Sequence, residues 1–183
     1  NVHAILAEPE LPVKDMDTSP GNHTVTFHKV SFAYDRETVL HDVSFEAAEG
    51  KSLAIIGPSG SGKSTIAKLI CRFWDVGGGE ICIGGVSIGD IRPDNLMDMV
   101  GYVFQDTFLF NMSLGENIRV GKPEATGAEI IAAAKMAQCH DFIMKTKDGY
   151  DTVAGDAGSR LSGGEKQRIC IARAILKNAP ILI

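Results

Sequence analysis

The stretch from Gly57 to Thr65, GPSGSGKST, constrains this chain more than any other. A glycine, four free positions and then Gly-Lys-Ser is the phosphate-loop pattern, and it works only between a strand and a helix. The sequence predicts both. The apolar run Leu53-Ala54-Ile55-Ile56 reads as a buried strand, and the amphipathic run from Ile66 to Phe73 reads as a helix. The residue types then dictate a chemistry. Gly57, Gly60 and Gly62 carry no Cβ, so the backbone can bend around an anion and turn several N–H groups inward. Pro58, Ser59 and Ser61 complete the loop. A helix opening at Lys63 adds its own unpaired N–H groups and the positive end of its dipole. In this pattern Lys63 reaches the β- and γ-phosphates, the Ser64 hydroxyl sits on Mg²⁺, and Thr65 contacts the α-phosphate. The bland alternative is a Gly/Ser turn that ends in Lys-Ser by chance, and it leaves the flanking strand and helix without a reason.

A chain of 183 residues is long enough for one sizeable domain or two small lobes. Its net charge of −5 argues against a general nucleic-acid binder, which carries a basic face. No apolar run approaches the roughly 20 residues needed to span a bilayer. Cys71, Cys82, Cys139 and Cys170 are scattered without a CxxC pair, and three of them lie in apolar runs. They read as small buried hydrophobes, and a reducing compartment is the simpler setting. The chain starts at Asn1 without an initiator Met and stops at Ile183 inside an apolar run, so it reads as a piece cut from a longer protein at both ends.

Residues 1–22 hold three prolines, several charges and Ser19-Pro20-Gly21, the composition of a linker arriving from something upstream. From Thr24 the pattern changes. Val25, Phe27, Val30 and Phe32 sit among polar residues in near alternation, which predicts a half-buried strand. A turn at Asp35-Arg36-Glu37 leads to a second apolar segment, Val39-Leu40 with Val43 and Phe45. Tyr34 closes the first strand. An exposed aromatic upstream of a phosphate loop can stack on an adenine ring, which is worth roughly 1–3 kcal/mol; it can equally be a surface tyrosine at a turn. Further on, Glu80–Ile83 and Val86–Ile88 flank Gly84-Gly85, a hairpin signal. Asp90–Met99 predicts a short helix with Pro93 in its first turn. Gly101–Phe104 predicts another apolar strand, ending at Gln105. A polar group there is well placed to face a nucleotide, although a lone Gln at a strand end is more often simply exposed.

Residues 106–160 are helical and Ala-rich in their middle. Thr126 and Glu129 have capping-box spacing and predict a helix running to about Gln138. Phe142-Ile143-Met144 and Tyr150 supply the next apolar face, and the stretch reads as a helical lobe inserted into a nucleotide core. Residues 161–183 open with LSGGE, followed by Lys166-Gln167-Arg168 and a strongly helical run. Ser162 and Glu165 again have capping-box spacing, so a helix is expected to start at Ser162. Two glycines in its first turn, Gly163 and Gly164, expose backbone N–H groups and make a second anion site without a lysine.

Together these residues resemble the nucleotide-binding domain of ATP-binding-cassette (ABC) transporters, from Thr24 to Ile183. GPSGSGKST is similar to the Walker A motif, and LSGGEKQR to the ABC signature, with Glu165 where the family more often has Gln. Gln105 is similar to the Q-loop, and Tyr34 in FAYD to the aromatic A-loop position. Phe108-Leu109-Phe110 with Ser113–Ile118 resembles the exporter segment after the Q-loop. Thr152–Gly158 resembles the exporter X-loop, with Asp156 in place of the usual Glu, which leaves the reach of that contact to the membrane domain open.

The resemblance implies an α/β fold: a P-loop NTPase (RecA-like) core with an N-terminal antiparallel β subdomain and an inserted α-helical subdomain. It divides the chain into a linker (1–22), the β subdomain and nucleotide-binding core (23–105), the helical subdomain (106–160) and the signature helix with the start of the Walker B strand (161–183). It implies ATP and Mg²⁺ as cofactors. ATP would lie on Gly57–Thr65 with Tyr34 against the adenine, Ser64 and Gln105 on the metal, and Lys63 and Gln105 as the catalytic residues. The backbone of Ser162, Gly163 and Gly164 from a second nucleotide-binding domain would cap the γ-phosphate across a head-to-tail pair. The implied partners are that second domain and the transmembrane domains of the same transporter, with no nucleic acid, at the cytoplasmic face of the plasma (inner) membrane. Arg168 would anchor the signature helix or lie as a solvated surface arginine. Ala179–Ile183 looks like the start of the Walker B strand; the Asp and Glu that follow it in the family are not in the sequence. By itself the stretch is therefore expected to bind nucleotide weakly, hydrolyse almost none and expose apolar core. Two other readings are a soluble ABC-type ATPase acting on ribosomes or DNA, against which the acidic balance and the X-loop-like segment count, and a non-enzymatic nucleotide-sensing or dimerising fragment.

Overall fold

The computed structural model describes residues 19–35 and 37–183. The linker expected before Ser19 and the turn residue Arg36 lie outside the described residues, apart from the 19–22 end of the linker. The chain forms two compact units, one ending at Asp98 and the other spanning Met99–Ile183.

The first unit is built on an antiparallel sheet. Strand β1 (Val25–Ala33) pairs on one side with β2 (Thr38–Ala47) and on the other with β3 (Gly78–Ile83). A tight turn at Gly84-Gly85 joins β3 to β4 (Val86–Ser87), giving the order β2-β1-β3-β4. Helix α1 (Lys63–Ile70) follows the phosphate loop, and α2 (Pro93–Met99) ends near the unit boundary. Val25, Phe27, Val30 and Phe32 of β1 are all buried, as their spacing predicts, and the Phe27 ring stacks on Phe45 of β2 at 4.4 Å. The step of three from Phe27 to Val30 is a bulge. His28 and Lys29 are both exposed, Lys29 takes a positive φ of 47°, and the register with both neighbouring strands shifts there. An extra residue in one strand of an antiparallel pair has this effect.

The bulge explains a glycine. Gly79, the second residue of β3, has φ 73°, and a Cβ built on it would lie 2.2 Å from the Lys29 carbonyl oxygen and 2.3 Å from that of His28. Both obstacles are backbone, so relief requires the bulge itself to move. Gly79→Ala is expected to destabilise the purified protein by about 2–4 kcal/mol, combining left-handed strain with overpacking. Gly21→Ala, whose Cβ meets nothing within 4 Å, is expected to stay within about 0.5 kcal/mol. Urea midpoints for the two variants check the contrast; equal midpoints would refute the account of the bulge.

The second unit is mainly helical. The two-residue strand β5 (Val100–Gly101) precedes α3 (Leu114–Arg119), α4 (Gly127–Met136), α5 (His140–Lys145) and α6 (Gly163–Lys177), and β6 (Ile181–Leu182) pairs parallel with β5. The core gathers Leu114 and Ile118 of α3, Ile130, Ala133 and Ala134 of α4, Ile143 of α5, and Ile169, Ala172 and Leu176 of α6. Alanines on the facing sides let α4 and α6 approach closely. The capping box at Thr126 and Glu129 forms: the Thr126 hydroxyl accepts from the Glu129 amide, and the Glu129 carboxylate accepts from the Thr126 amide at 2.7 Å. These bonds and Lys122 hold the Glu129 carboxyl down to about 2, the Lys122 ammonium being the largest cause. Cys71, Cys139 and Cys170 are buried and Cys82 is half-buried. Burial pushes Cys139 up to about 11, which suits an inert apolar side chain.

Three expectations need correction. Leu53-Ala54-Ile55-Ile56 is neither a strand nor buried; all four residues are exposed, Ile56 by 91%. A parallel strand is buried because neighbours pair with both its edges and helices cover both its faces. Among the described residues no strand pairs with 53–56, so its apolar side chains meet water. The strand expected at Gly101–Phe104 is reduced to Val100–Gly101 for a related reason: its ladder runs along β6 on one side, with two further bonds, from the Val103 amide to the Ile183 carbonyl and from the Ile183 amide to the Gly101 carbonyl. The helix opens at Lys63 as expected but ends at Ile70 rather than running on to Phe73. It ends early because Arg72 adopts φ 52°, a conformation no helix continues through, and its guanidinium pairs with Asp75 at 2.8 Å.

Candidate phosphate-binding site

In the first unit, the residues from Gly57 to Thr65 form a loop running into a helix start. Gly60 and Gly62 have φ values of 80° and 85°. Gly62 is the N-cap of α1, in the left-handed region, and caps the helix without a side chain. A Cβ there would fall 2.6 Å from Leu40 Cδ2 and push that side chain aside, and the positive φ itself favours glycine. The first bond across the helix start runs from the Ile66 amide to the Gly62 carbonyl at 2.9 Å. The amides of Lys63, Ser64 and Thr65 precede it and have no partner within the helix. They point from the positive end of the helix dipole, a ready setting for an anion.

Lys63 folds back over this loop. Its Nζ donates to the Gly57 carbonyl at 3.0 Å, to the Pro58 carbonyl at 2.6 Å and to the Ser61 hydroxyl at 3.4 Å. All three acceptors are neutral, so the ammonium brings a positive charge to the loop that these contacts do not cancel. Ser64 is exposed, with its hydroxyl open to a ligand, whereas Thr65 is only 6% exposed. The Thr65 hydroxyl is shared with the Tyr34 hydroxyl at 3.2 Å. The structure therefore brings together Tyr34, Thr65, Lys63, the carbonyls of Gly57 and Pro58 and the Ser61 hydroxyl. Ser59 is exposed on the same loop.

Gln105 and the LSGGE residues belong to the second unit. Gln105 lies in an exposed bend after β5, beside an exposed Phe104. Ser162, Gly163 and Gly164 are exposed at the start of α6. Ser162 is the N-cap: its hydroxyl accepts from the Glu165 amide, and the Glu165 carboxylate accepts from the Ser162 amide at 2.9 Å and hydroxyl at 2.7 Å. The hydrogen bonds from Ser162 hold the Glu165 carboxyl below its ordinary range. A Cβ on Gly163 would meet nothing within 4 Å, and one on Gly164 would be in ordinary contact with Arg168 at 3.6 Å. The fold of this unit does not itself require either glycine. Arg168 is not a solvated surface arginine: its guanidinium lies 5.3 Å above the Phe142 ring, and its Nε is buried without a partner. The stack fastens α6 to α5.

Asn117 is a residue whose importance no local motif displays. It is fully buried on α3. Its Nδ2 donates to the carbonyls of Phe110, Met112 and Ser113, and its Oδ1 accepts from the Phe110 amide at 2.9 Å. Arg173 of α6 completes the node by donating to the Asn117 carbonyl at 2.9 Å. This network fixes the segment 108–113, which also pairs with 152–154 through the Leu114 amide to Thr152 carbonyl and the Ala154 amide to Met112 carbonyl bonds. Phe108, Phe110 and Val153 stand exposed along it, and Asn111 donates to Asp156 at 2.8 Å. The bonds from Arg173 to Asn117 and from Asn111 to Asp156 join residues far apart along the chain and leave no spacing to read.

The description of known families decides the affiliation: the ABC transporter family model matches residues 40–183. The chain belongs to the ABC transporter family. Among relatives in that family it is 52% identical over 161 residues to YgaD, an ATP-binding/permease protein of Bacillus subtilis, covering 87% of this chain and 28% of that protein. It is 46% identical over 183 residues to an ATM1-type heavy metal exporter of Novosphingobium aromaticivorans, covering 97% of this chain and 30% of that one. A solved structure of a bacterial Atm1-family ABC exporter with ATP bound superposes with a TM-score of 0.93 at 45% identity, over 98% of this chain and 32% of that one. The fold is therefore that of a P-loop NTPase with an N-terminal β subdomain, as the resemblance implies. The chain spans less than a third of the length of these ABC relatives.

Proposed function

We propose that this chain is the ATP-binding and ATP-hydrolysing part of a transporter that drives substrate export across a membrane. One observation carries the reading: an uncapped helix start, two glycines at positive φ and a lysine with only neutral acceptors converge on one loop, with the exposed Tyr34 tied to its Thr65. The similarity to a structure solved with ATP bound supports it. The amides of Gly60–Thr65 and the Lys63 ammonium receive the β- and γ-phosphates, and Tyr34 stacks on the base. Mg²⁺ takes oxygen ligands, and the exposed Ser64 hydroxyl of the first unit and the exposed Gln105 side chain of the second each offer an oxygen of that kind. When bound, it neutralises charge on the phosphates. The chain's own residues then do the rest by positioning and charge stabilisation, as phosphoryl transfer requires.

Ser162, Gly163 and Gly164 cap the γ-phosphate held by a second copy of the domain, or by a homologous one, in a head-to-tail pair. The face bearing Phe108, Phe110 and Val153, which resembles the exporter segments, receives the membrane domain. Among the described residues no helix is long and apolar enough to cross a membrane. The spanning segments therefore come from other parts of the intact transporter, which holds this domain at the cytoplasmic side.

The test compares two preparations. The intact transporter, reconstituted in vesicles, is expected to hydrolyse ATP at about 1–100 per second, the range of comparable phosphoryl-transfer enzymes. The same transporter carrying Lys63→Ala is expected to release almost no phosphate, because its loop then lacks the cation that Gly57 and Pro58 hold. Robust turnover by that variant would refute the reading. An intact protein without membrane-spanning segments would favour a soluble ABC-type ATPase instead.

A further inference from the structure

The first unit carries an aromatic cluster that the phosphate loop does not explain. Tyr34 stands nearly perpendicular to Phe32 at 4.9 Å and 85°, and to Trp74 at 5.1 Å and 89°. Trp74, the only tryptophan in the chain, sits just beyond the end of α1. Lys68 of α1 places its Nζ 5.8 Å from the Trp74 ring centroid. Thr65, one turn earlier on α1, holds the Tyr34 hydroxyl. The contacts close a circuit that begins and ends on one helix: Thr65 to Tyr34, Tyr34 to Trp74, Trp74 to Lys68. That helix opens at Lys63. The ring that meets the base is thereby indexed to the element that meets the phosphates.

A tyrosine at the end of a strand is otherwise free to change rotamer, and every binding event would then pay for fixing it. Tyr34 remains 43% exposed and Trp74 39% exposed, so neither is buried as core packing. The perpendicular ring contacts and the hydroxyl bond instead restrain the orientation of Tyr34 while leaving it accessible. We infer that Trp74 is a positioning residue for nucleotide-base recognition, acting through Tyr34. The inference rests on the proposed stacking of the base on Tyr34.

The experiment uses the intact transporter and two probes: ATP, read as its KM, and inorganic tripolyphosphate, a competitor without a base, read as its Ki. Tyr34→Ala should raise the KM for ATP about tenfold and leave the Ki of tripolyphosphate within about twofold, as loss of one base stack implies. Trp74→Leu should raise the same KM about three- to fivefold, again with the Ki of tripolyphosphate nearly unchanged, and Trp74→Phe should recover most of the loss. Because the effect passes through one ring, the double variant Tyr34→Ala/Trp74→Leu should be no worse than Tyr34→Ala alone. If Trp74→Leu does not yield folded protein, Trp74→Met carries the same comparison. Parallel loss of ATP and tripolyphosphate affinity, an unchanged KM, or additive losses in the double variant would overturn the inference. If Tyr34→Ala shifts the ratio of the two constants and the Trp74 variants do not, only the role of Trp74 fails. If Tyr34→Ala itself leaves the ratio unchanged, the stacking reading fails and the inference falls with it.

Discussion

Lys63→Ala is expected to reduce ATP turnover by the intact transporter about a thousandfold or more, with little change in the fold. The side chain contributes nothing that the folded loop needs: its acceptors are two carbonyls and a hydroxyl on exposed residues, and water can satisfy them once the ammonium is gone. What it supplies is a cation held beside the uncapped amides of α1. On the proposed function, a triphosphate entering the loop would let the ammonium exchange neutral oxygens for charged ones, and such charge-assisted bonds are roughly twice as strong. Charge builds on the transferring phosphoryl group in the transition state, so the exchange favours that state most. Removing one preorganised donor at such a point costs about 10²–10³-fold in rate, and Lys63 carries a full charge in addition. Lys63→Arg should fail as well, by about 10²-fold or more, because a planar guanidinium cannot act as the compact, rotatable point charge that an ammonium is. Phosphate release at saturating ATP, beside far-UV circular dichroism of each variant, makes the measurement. Turnover within tenfold of the parent in Lys63→Ala would end the assignment of this loop.

How far the sequence alone reaches is decided by the range of the interactions. The phosphate loop is legible because its determinants are neighbours in the chain: Gly62 supplies the left-handed N-cap, Lys63 opens the helix, and both follow from residue type. The capping boxes at Thr126 with Glu129 and Ser162 with Glu165 are legible for the same reason. The alternation of β1 was visible too, and its one irregularity marks the bulge at His28 and Lys29. Long-range features were not visible. Leu53–Ile56 has the composition of a central strand, but a strand needs partners, and none of the described strands pairs with it. Asn117 reads as an ordinary polar residue on a short helix until the carbonyls of Phe110, Met112 and Ser113 are seen to converge on it. Trp74 gave no signal beyond being an aromatic after a helix, because its contacts reach back to Tyr34 across the loop. Arg168, in contrast, had a stated alternative, and the Phe142 stack decides it.

Gly163→Ala separates folding from function by moving them in opposite directions. Gly163 is the first residue of α6, is exposed, and a Cβ there meets nothing within 4 Å. Alanine is favoured over glycine in a helix interior by about 1 kcal/mol, and at this first position a gain of a few tenths of a kcal/mol is expected. A glycine kept where its own fold would prefer alanine points to an outside group that must come close to the backbone. In the proposed head-to-tail pair that group would be the γ-phosphate of ATP bound on the opposite domain. A methyl at Gly163 would stand between the phosphate and the amides of the capped helix start, lengthening contacts that act in the transition state. Turnover by the intact transporter should fall about tenfold to a hundredfold, in keeping with the loss of one well-aimed donor. The KM should move less, because the proposed function puts most of the binding contacts on the Gly57–Thr65 loop. Gly127→Ala is the matched control: it too opens an exposed helix after a capping box with open space around it, and it should leave turnover within about twofold while raising stability by a similar few tenths of a kcal/mol. Equal turnover in the two variants would mean that nothing approaches Gly163, and the capping of a partner's phosphate by this helix would have to be abandoned.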